Sequence, residues 1–334
     1  MTTLVPILDA FLFADWLGKP AWMWLAFLSL VVILLAFDLG VLHRKEREIG
    51  VRESLMLSSI YIGLGLAFGG WVWWHLGGQS GMAYMTGFAV EKALAMDNVF
   101  VIAMIFSYFA VPRAYQHRVL FWGILGAIVL RAIMIGLGAA LVAQFSWVLY
   151  IFAVFLIVTG IKMLVASDKP HDIAANPVLT FLRRRLNVAD DVKTNRFFVR
   201  RPHPLTGKPV LFVTPLFLAL VLIEIADVIF AVDSVPAILA ITSDPFIVFT
   251  SNIFAILGLR ALYFALAAMV ERFHYLKYAL AAVLIFIGAK IFAADLLGLE
   301  KIPAVVSLGV TFGLLAGGVL WSLWRTRDAA IEVK

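Results

Sequence analysis

Seven oxygen-bearing side chains stand in two apolar stretches of this chain. Glu91, Asp97 and Asn98 lie in EKALAMDN, and Glu224, Asp227, Asp233 and Ser234 lie in LVLIEIADVIFAVDSVPAILA, residues 220–240. A carboxylate at bilayer depth costs roughly 2.5–3.5 kcal/mol on insertion scales, so several of them need compensation from protein, water or an ion. Five deep acids (Glu91, Asp97, Glu224, Asp227, Asp233) face only two deep cations, Arg131 and Arg260. The unpaired remainder calls for a cation or protons. All the candidate ligands are hard oxygens, a set that suits manganese, magnesium or calcium and argues against copper(I) or structural zinc, which prefer sulfur and imidazole.

On a helix Glu91 and Asn98, seven apart, share a face, as do Glu224 with Asp227 and Asp227 with Ser234. Asp233 points about 120° away from Asp227 in an unbroken helix. Pro236 cannot bond to the carbonyl of Val232, which predicts a kink or unwound turn that leaves backbone oxygen beside Asp233. A plainer role exists for some of these residues. Arg131 and Arg260 recur in matched LRA triplets and are expected to form structural ion pairs, one in each copy of a repeat. Lys162 and Lys290 lie near enough to span ends to snorkel, and Met96 is read as packing. Asp38, near the inner end of the first span, is a candidate guard of the entrance, although an interfacial acid beside His43 and Arg44 needs no function.

The elements that position these groups follow from composition. The chain has 334 residues, 63% hydrophobic and 14% charged, with a mean hydropathy of +1.00. Repeated apolar runs of about 20 residues match a hydrocarbon layer of about 30 Å, so the fold class is an all-α polytopic membrane protein. Nine spans are expected, at about 21–42, 54–76, 83–109, 118–142, 147–166, 211–241, 246–270, 276–297 and 303–324. Every odd-numbered exit is basic, so the positive-inside rule places the N-terminus outside and the C-terminus in the cytoplasm. Trp71, Trp73 and Trp74 then form an outer aromatic belt. The net charge of +6 reads as topology and not as nucleic-acid binding. With no cysteine, disulfides, thiolate metal sites and thiol redox chemistry are excluded. The first twenty residues carry Asp9 and Asp15 and no basic n-region, which reads as a short interfacial helix and not a cleaved signal.

An internal repeat organises the chain. Glu91 and Asp97 are six residues apart, as are Asp227 and Asp233; Asn98 matches Ser234; Gly-x-Lys recurs at Lys162 and Lys290, 31 and 30 residues after the matched arginines. Units of three spans give the copies opposite topology, the architecture of secondary transporters that work by alternating access. The organisation read from this is 1–82, an interfacial segment and two spans; 83–166, the first three-helix repeat; 167–210, a basic cytoplasmic insert with a hairpin at RPHPLTGKP; 211–298, the second, inverted repeat; and 299–334, the last span and tail. His171 and His203 in the insert read as solvated. Glycines in GLGLAFGG and at Gly123, Gly126, Gly136 and Gly138 allow close helix contact.

At EKALAMDNVFV, FSYFAVP, GAIVLRAIMI, FFVR, IEIADVIFAVDSVPAI, TSDPFIVFTSNIFAILGLRALYF and ERFHYLKY the sequence closely resembles the TerC family, in particular its Alx-like bacterial members, from about residue 30 to 324. The resemblance implies a LysE-like transporter of the bacterial inner membrane that exports manganese(II), with Glu91, Asp97, Asn98, Glu224, Asp227, Asp233 and Ser234 along the metal pathway. The expected partners are the lipid bilayer, a divalent metal ion as transported substrate, and protons in exchange; no organic cofactor and no nucleic acid are expected. No span pairs a nucleophile with a histidine, so an enzyme is not expected. Calcium transport and a membrane-protein assembly role for the basic insert are the alternatives. Tolerance of carboxylate substitution together with loss of function on removing the insert's charges would single out the assembly role.

Overall fold

The computed structural model of the chain describes residues 9–40, 51–165, 173, 176–189, 194–202, 209–266, 276–298 and 302–329. His171 and His203 lie outside the described residues, as do the side chains of Asp38 and Asp97.

Residues 9–12 are helical, within the segment read as a short interfacial helix, and a two-stranded hairpin (β1 Asp15–Trp16, β2 Lys19–Pro20) follows them. It leads into α1 (Ala21–Gly40), α2 (Val51–Leu76), α3 (Gly78–Tyr108), α4 (Arg113–Gln144) and α5 (Val148–Val165). The insert contributes α6 (Pro177–Arg185) and an antiparallel hairpin, β3 (Phe198–Pro202) with β4 (Pro209–Val213), whose strands flank the turn-rich segment. Then follow α7 (Pro215–Ile241), α8 (Pro245–Leu257), α9 (Leu259–Leu266), α10 (Leu276–Leu296) and α11 (Ala304–Ala329).

Seven of the described spans are long and apolar enough to cross a membrane, and α8 with most of α9 makes up one of them. That span is wholly buried, whereas α4, α5 and α11 leave Val129, Ile133, Leu137, Ile151, Val154, Val158, Val305 and Leu320 exposed. Apolar surface of that extent suits contact with lipid tails and not with water. The chain is a multi-pass membrane protein built round α8.

Local chemistry explains the starts. Asp244 caps α8, accepting from the amides of Phe246 (3.0 Å) and Ile247 (3.4 Å), with Pro245 at the first helical position. The same carboxylate pairs with Lys19 at 2.8 Å, which pins the N-terminal hairpin to the head of α8. Thr214 begins α7; its hydroxyl donates to the carbonyls of Arg196 (2.9 Å) and Phe197 (3.1 Å), and Phe198 packs on Phe217 at 4.9 Å. The insert is therefore fastened directly to the helix that carries three of the acids. Arg118 of α4 lies over Phe197 of the insert, and Arg183 of the insert lies over Tyr108 of α3.

Glycines set three close approaches. Gly65 and Gly69 of α2 lie against Phe88, Tyr84 and Met85 of α3. The glycines of the two Gly-x-Lys motifs face each other's helices: Gly160 of α5 meets Ala281 O and Ile285 of α10, and Gly288 of α10 meets Ala153 O and Ile157 of α5. Gly63, Gly70 and Gly136 face open space.

Two expectations need correction. The seventh span is split at Gly258, where the backbone (φ −85°, ψ 2°) leaves the helix. Lys92 of α3 donates to the carbonyl of Ala255 at 3.1 Å, taking a bond that the interrupted ladder does not supply. Substituting Lys92→Met is expected to lower stability by about 1–3 kcal/mol through a buried carbonyl left without a donor, with Lys92→Arg close to wild type. Thermal unfolding in detergent measures it. The predicted unwound turn at Pro236, in contrast, is absent: α7 runs unbroken from Pro215 to Ile241. Val235, Pro236, Ala237, Ile238 and Leu239 are all buried, and packing along this turn holds the helix despite one missing backbone bond.

Candidate functional site

The largest fully buried side chain among the described residues is that of Arg131, 1% exposed, projecting from the apolar middle of α4. Its Nη1 donates to Glu91 Oε1 of α3, to Ser234 Oγ of α7 at 3.2 Å and to Asn252 Oδ1 of α8 at 3.1 Å. Its Nη2 and Nε fork onto Asp227 of α7, at 2.9 Å from Oδ1 and 3.3 Å from Oδ2. Asn252 Nδ2 closes the ring by donating to Glu91 Oε2 at 3.0 Å. Four helices thus meet on one cation, and Glu91, Asp227, Ser234 and Asn252 are all buried. Inside an apolar span such a network holds only if nearly every donor and acceptor is used.

Asn252 escaped the reading of the sequence, although a signal was present. Thr250, Ser251 and Asn252 interrupt an otherwise apolar helix. The hydroxyls of Thr250 and Ser251 donate back to Phe246 O and Ile247 O at 2.7 Å, the usual solution for such residues in a helix. Only the longer amide of Asn252 reaches another helix.

The remaining candidates divide. Asn98 of α3 and Arg260 of α9 line a small cavity together with Asp227, Gly123, Ala127 and Phe230. Its volume is about 20 Å³, room for one water-sized group. Asn98 is 5% exposed, and its Oδ1 has no hydrogen-bond partner among the described residues. Glu224 sits one turn before Asp227, against Gly126 of α4, where a Cβ would collide with the carboxylate. Its Oε2 is buried without a hydrogen-bond partner among the described residues. It forms the polar floor of an otherwise apolar groove of about 400 Å³ between α4 and α7, walled by Leu130, Leu220, Val221, Ile225, Val228 and Ile229.

Asp233 faces the other way. On an unbroken α7 it turns towards α5, where Thr159 donates to it at 3.4 Å and Lys162 supplies opposite charge. The structure therefore brings Glu91, Asp227 and Ser234 onto Arg131, places Asn98 and Glu224 beside Asp227, and sets Asp233 apart. Arg131 pairs with Glu91 of α3 and with Asp227 of α7, where the sequence predicted separate ion pairs for Arg131 and Arg260. Among the described residues no three Asp, Glu, His or Cys side chains stand close enough together to hold a metal ion.

Residues 76–330 match the model of the integral membrane protein TerC family. An "Uncharacterized membrane protein STKORF319" of Myxococcus xanthus is 45% identical over 312 residues, covering 93% of this chain and 95% of that protein. An "Uncharacterized membrane protein" of Rickettsia bellii is 47% identical over 302 residues, covering 90% and 97%. A "Putative membrane-bound redox modulator Alx" of Escherichia coli K12 is 46% identical over 316 residues, covering 92% and 95%. No solved structure matches. The family match spans both acid-bearing helices and the arginine that joins them, and the chain belongs to the TerC family of integral membrane proteins.

Proposed function

We propose that this protein exports a divalent metal cation, manganese(II) foremost, from the cytoplasm by alternating access between two inverted three-helix units. The observation that carries the reading is the convergence of Glu91, Asp227, Ser234 and Asn252 on one guanidinium inside the membrane spans. They supply two carboxylates, a hydroxyl and an amide oxygen, a hard-oxygen set selective for cations of this class. Glu224 and Asn98, with oxygens still open, extend it on either side of Asp227.

Helix pairing supports two related units. Matched helices exchange partners: α4 packs on α7 as α8 packs on α3, and α5 meets its counterpart α10 through the reciprocal glycines. A pseudo-two-fold axis in the membrane plane produces such pairing, with substrate sites near the midplane. In this reading all nine spans cross the bilayer of the bacterial inner membrane, the insert and C-terminus lie in the cytoplasm, and protons move against metal as ligand carboxylates exchange one for the other. The redox role in the name of the Escherichia coli relative finds no thiol in this chain, which has no cysteine.

Manganese uptake into everted vesicles tests the reading. Glu224→Gln and Asp227→Asn are each expected to lower the flux by about 10–100-fold at equal expression, the scale of losing support at a metal site. Full flux in both variants, or none with the intact protein, sinks it. Competition by calcium and magnesium in the same vesicles ranks the ions.

A further inference from the structure

We propose that Arg131 is a tethered counter-cation of the transport site: its guanidinium stands where the substrate ion stands in another conformation, and the two exclude each other. The proposal rests on the transporter reading above.

A structural arginine needs one carboxylate in fork geometry, and Asp227 supplies it through Nη2 and Nε. What surrounds Nη1 goes beyond that. A nitrogen with two hydrogens is enclosed by Glu91 Oε1, Ser234 Oγ and Asn252 Oδ1, three oxygens of three kinds from three helices. That arrangement has the form of a coordination shell, and each of its donors is one that manganese, magnesium or calcium accepts. Glu91 is held from a second side by Asn252 Nδ2, so its carboxylate is aimed at the shared point independently of the arginine.

The charges agree. Two carboxylates facing one guanidinium leave a net charge of −1, whereas a dication neutralises the pair. An arriving metal is thus the better counter-ion, and the arginine the fallback that spares the metal-free protein two bare carboxylates at bilayer depth. Any carboxylate that returns with neither metal nor proton needs such a fallback. Arg131 reaches the acids of both α3 and α7, so in the metal-free state it also holds the two halves together.

The test is equilibrium binding of manganese(II) to purified protein in detergent, with the free ion read by electron paramagnetic resonance. Arg131→Met is expected to bind manganese about ten-fold more tightly than wild type or to gain one site, because a unit positive charge has left the ion's immediate surroundings. Adding Glu91→Gln should abolish the gain, and free guanidinium ion should displace the extra manganese from Arg131→Met. Arg131→Lys, which keeps the charge but not the fork, guards against misfolding and should show a smaller gain with the same dependence on Glu91. Unchanged affinity in a folded Arg131→Lys or Arg131→Met overturns the proposal, as does a gain indifferent to Glu91→Gln or guanidinium. Because binding needs no flux, a gain in a protein whose wild type moves no manganese sinks the transporter reading and leaves the arginine's competition with metal standing. Wild-type flux without any gain sinks the counter-cation alone.

Discussion

Arg131→Met is expected to lower the unfolding free energy in detergent by about 3–5 kcal/mol, the cost of leaving buried charge without its partner. The loss comes from the partners and not from the arginine. Without it, Glu91 and Asp227 face each other in an apolar core, and Ser234 Oγ and Asn252 Oδ1 lose their donor. Two companion measurements follow from that cause. Neutralising the acids as well, in Arg131→Met with Glu91→Gln and Asp227→Asn, should recover most of the loss, because a similar volume without charge has nothing uncompensated. Manganese at about one hundred times its Kd should return about 2.7 kcal/mol to the single variant. A triple variant no more stable than the single one would show that packing, and not charge, sets the loss.

The second large effect is expected at the reciprocal glycines. A Cβ on Gly288 would lie 2.5 Å from the carbonyl oxygen of Ala153 and 2.8 Å from Ile157, and one on Gly160 would lie 2.7 Å from the carbonyl oxygen of Ala281. Backbone cannot step aside as a flexible side chain can, so α5 and α10 must move apart. Gly288→Ala should therefore destabilise by about 1–3 kcal/mol, as overpacking does. Gly160→Ala should cost a similar amount, and the double variant less than the sum, because one separation of the helices relieves both clashes. Gly136→Ala, which meets open space, is the control and should stay within about 0.5 kcal/mol of wild type. Thermal unfolding of the four variants and the wild type in one detergent decides the matter.

The apolar spans and the deep position of the acids were legible because each depends on residue type at a fixed helical spacing. So was the hairpin around RPHPLTGKP. The partners of the acids were not legible, since they depend on how far each helix is rotated against its neighbours. Spacing placed Asp227 and Ser234 on one face of α7, and both do meet Arg131; it could not say that the same arginine would also take Glu91 from α3. The unwound turn expected at Pro236 is absent for a related reason. A proline removes one backbone bond, but six consecutive buried residues, Ser234 to Leu239, keep the turn in place, and burial is not a local property of sequence. Asn252 was passed over because an amide among apolar residues looks like its hydroxyl neighbours until its reach is compared with theirs.

Thr214 is the sole residue between the last strand of the insert and the first residue of α7, and its hydroxyl and amide are both tied to the chain just before β3. No slack exists at that joint. The hairpin is accordingly a crank and not a tether: turning α7 about its axis, which would re-aim Asp227 and Asp233, must sweep the ribbon sideways at the arginine-rich end. Whatever holds that ribbon still also locks the helix that carries the acids.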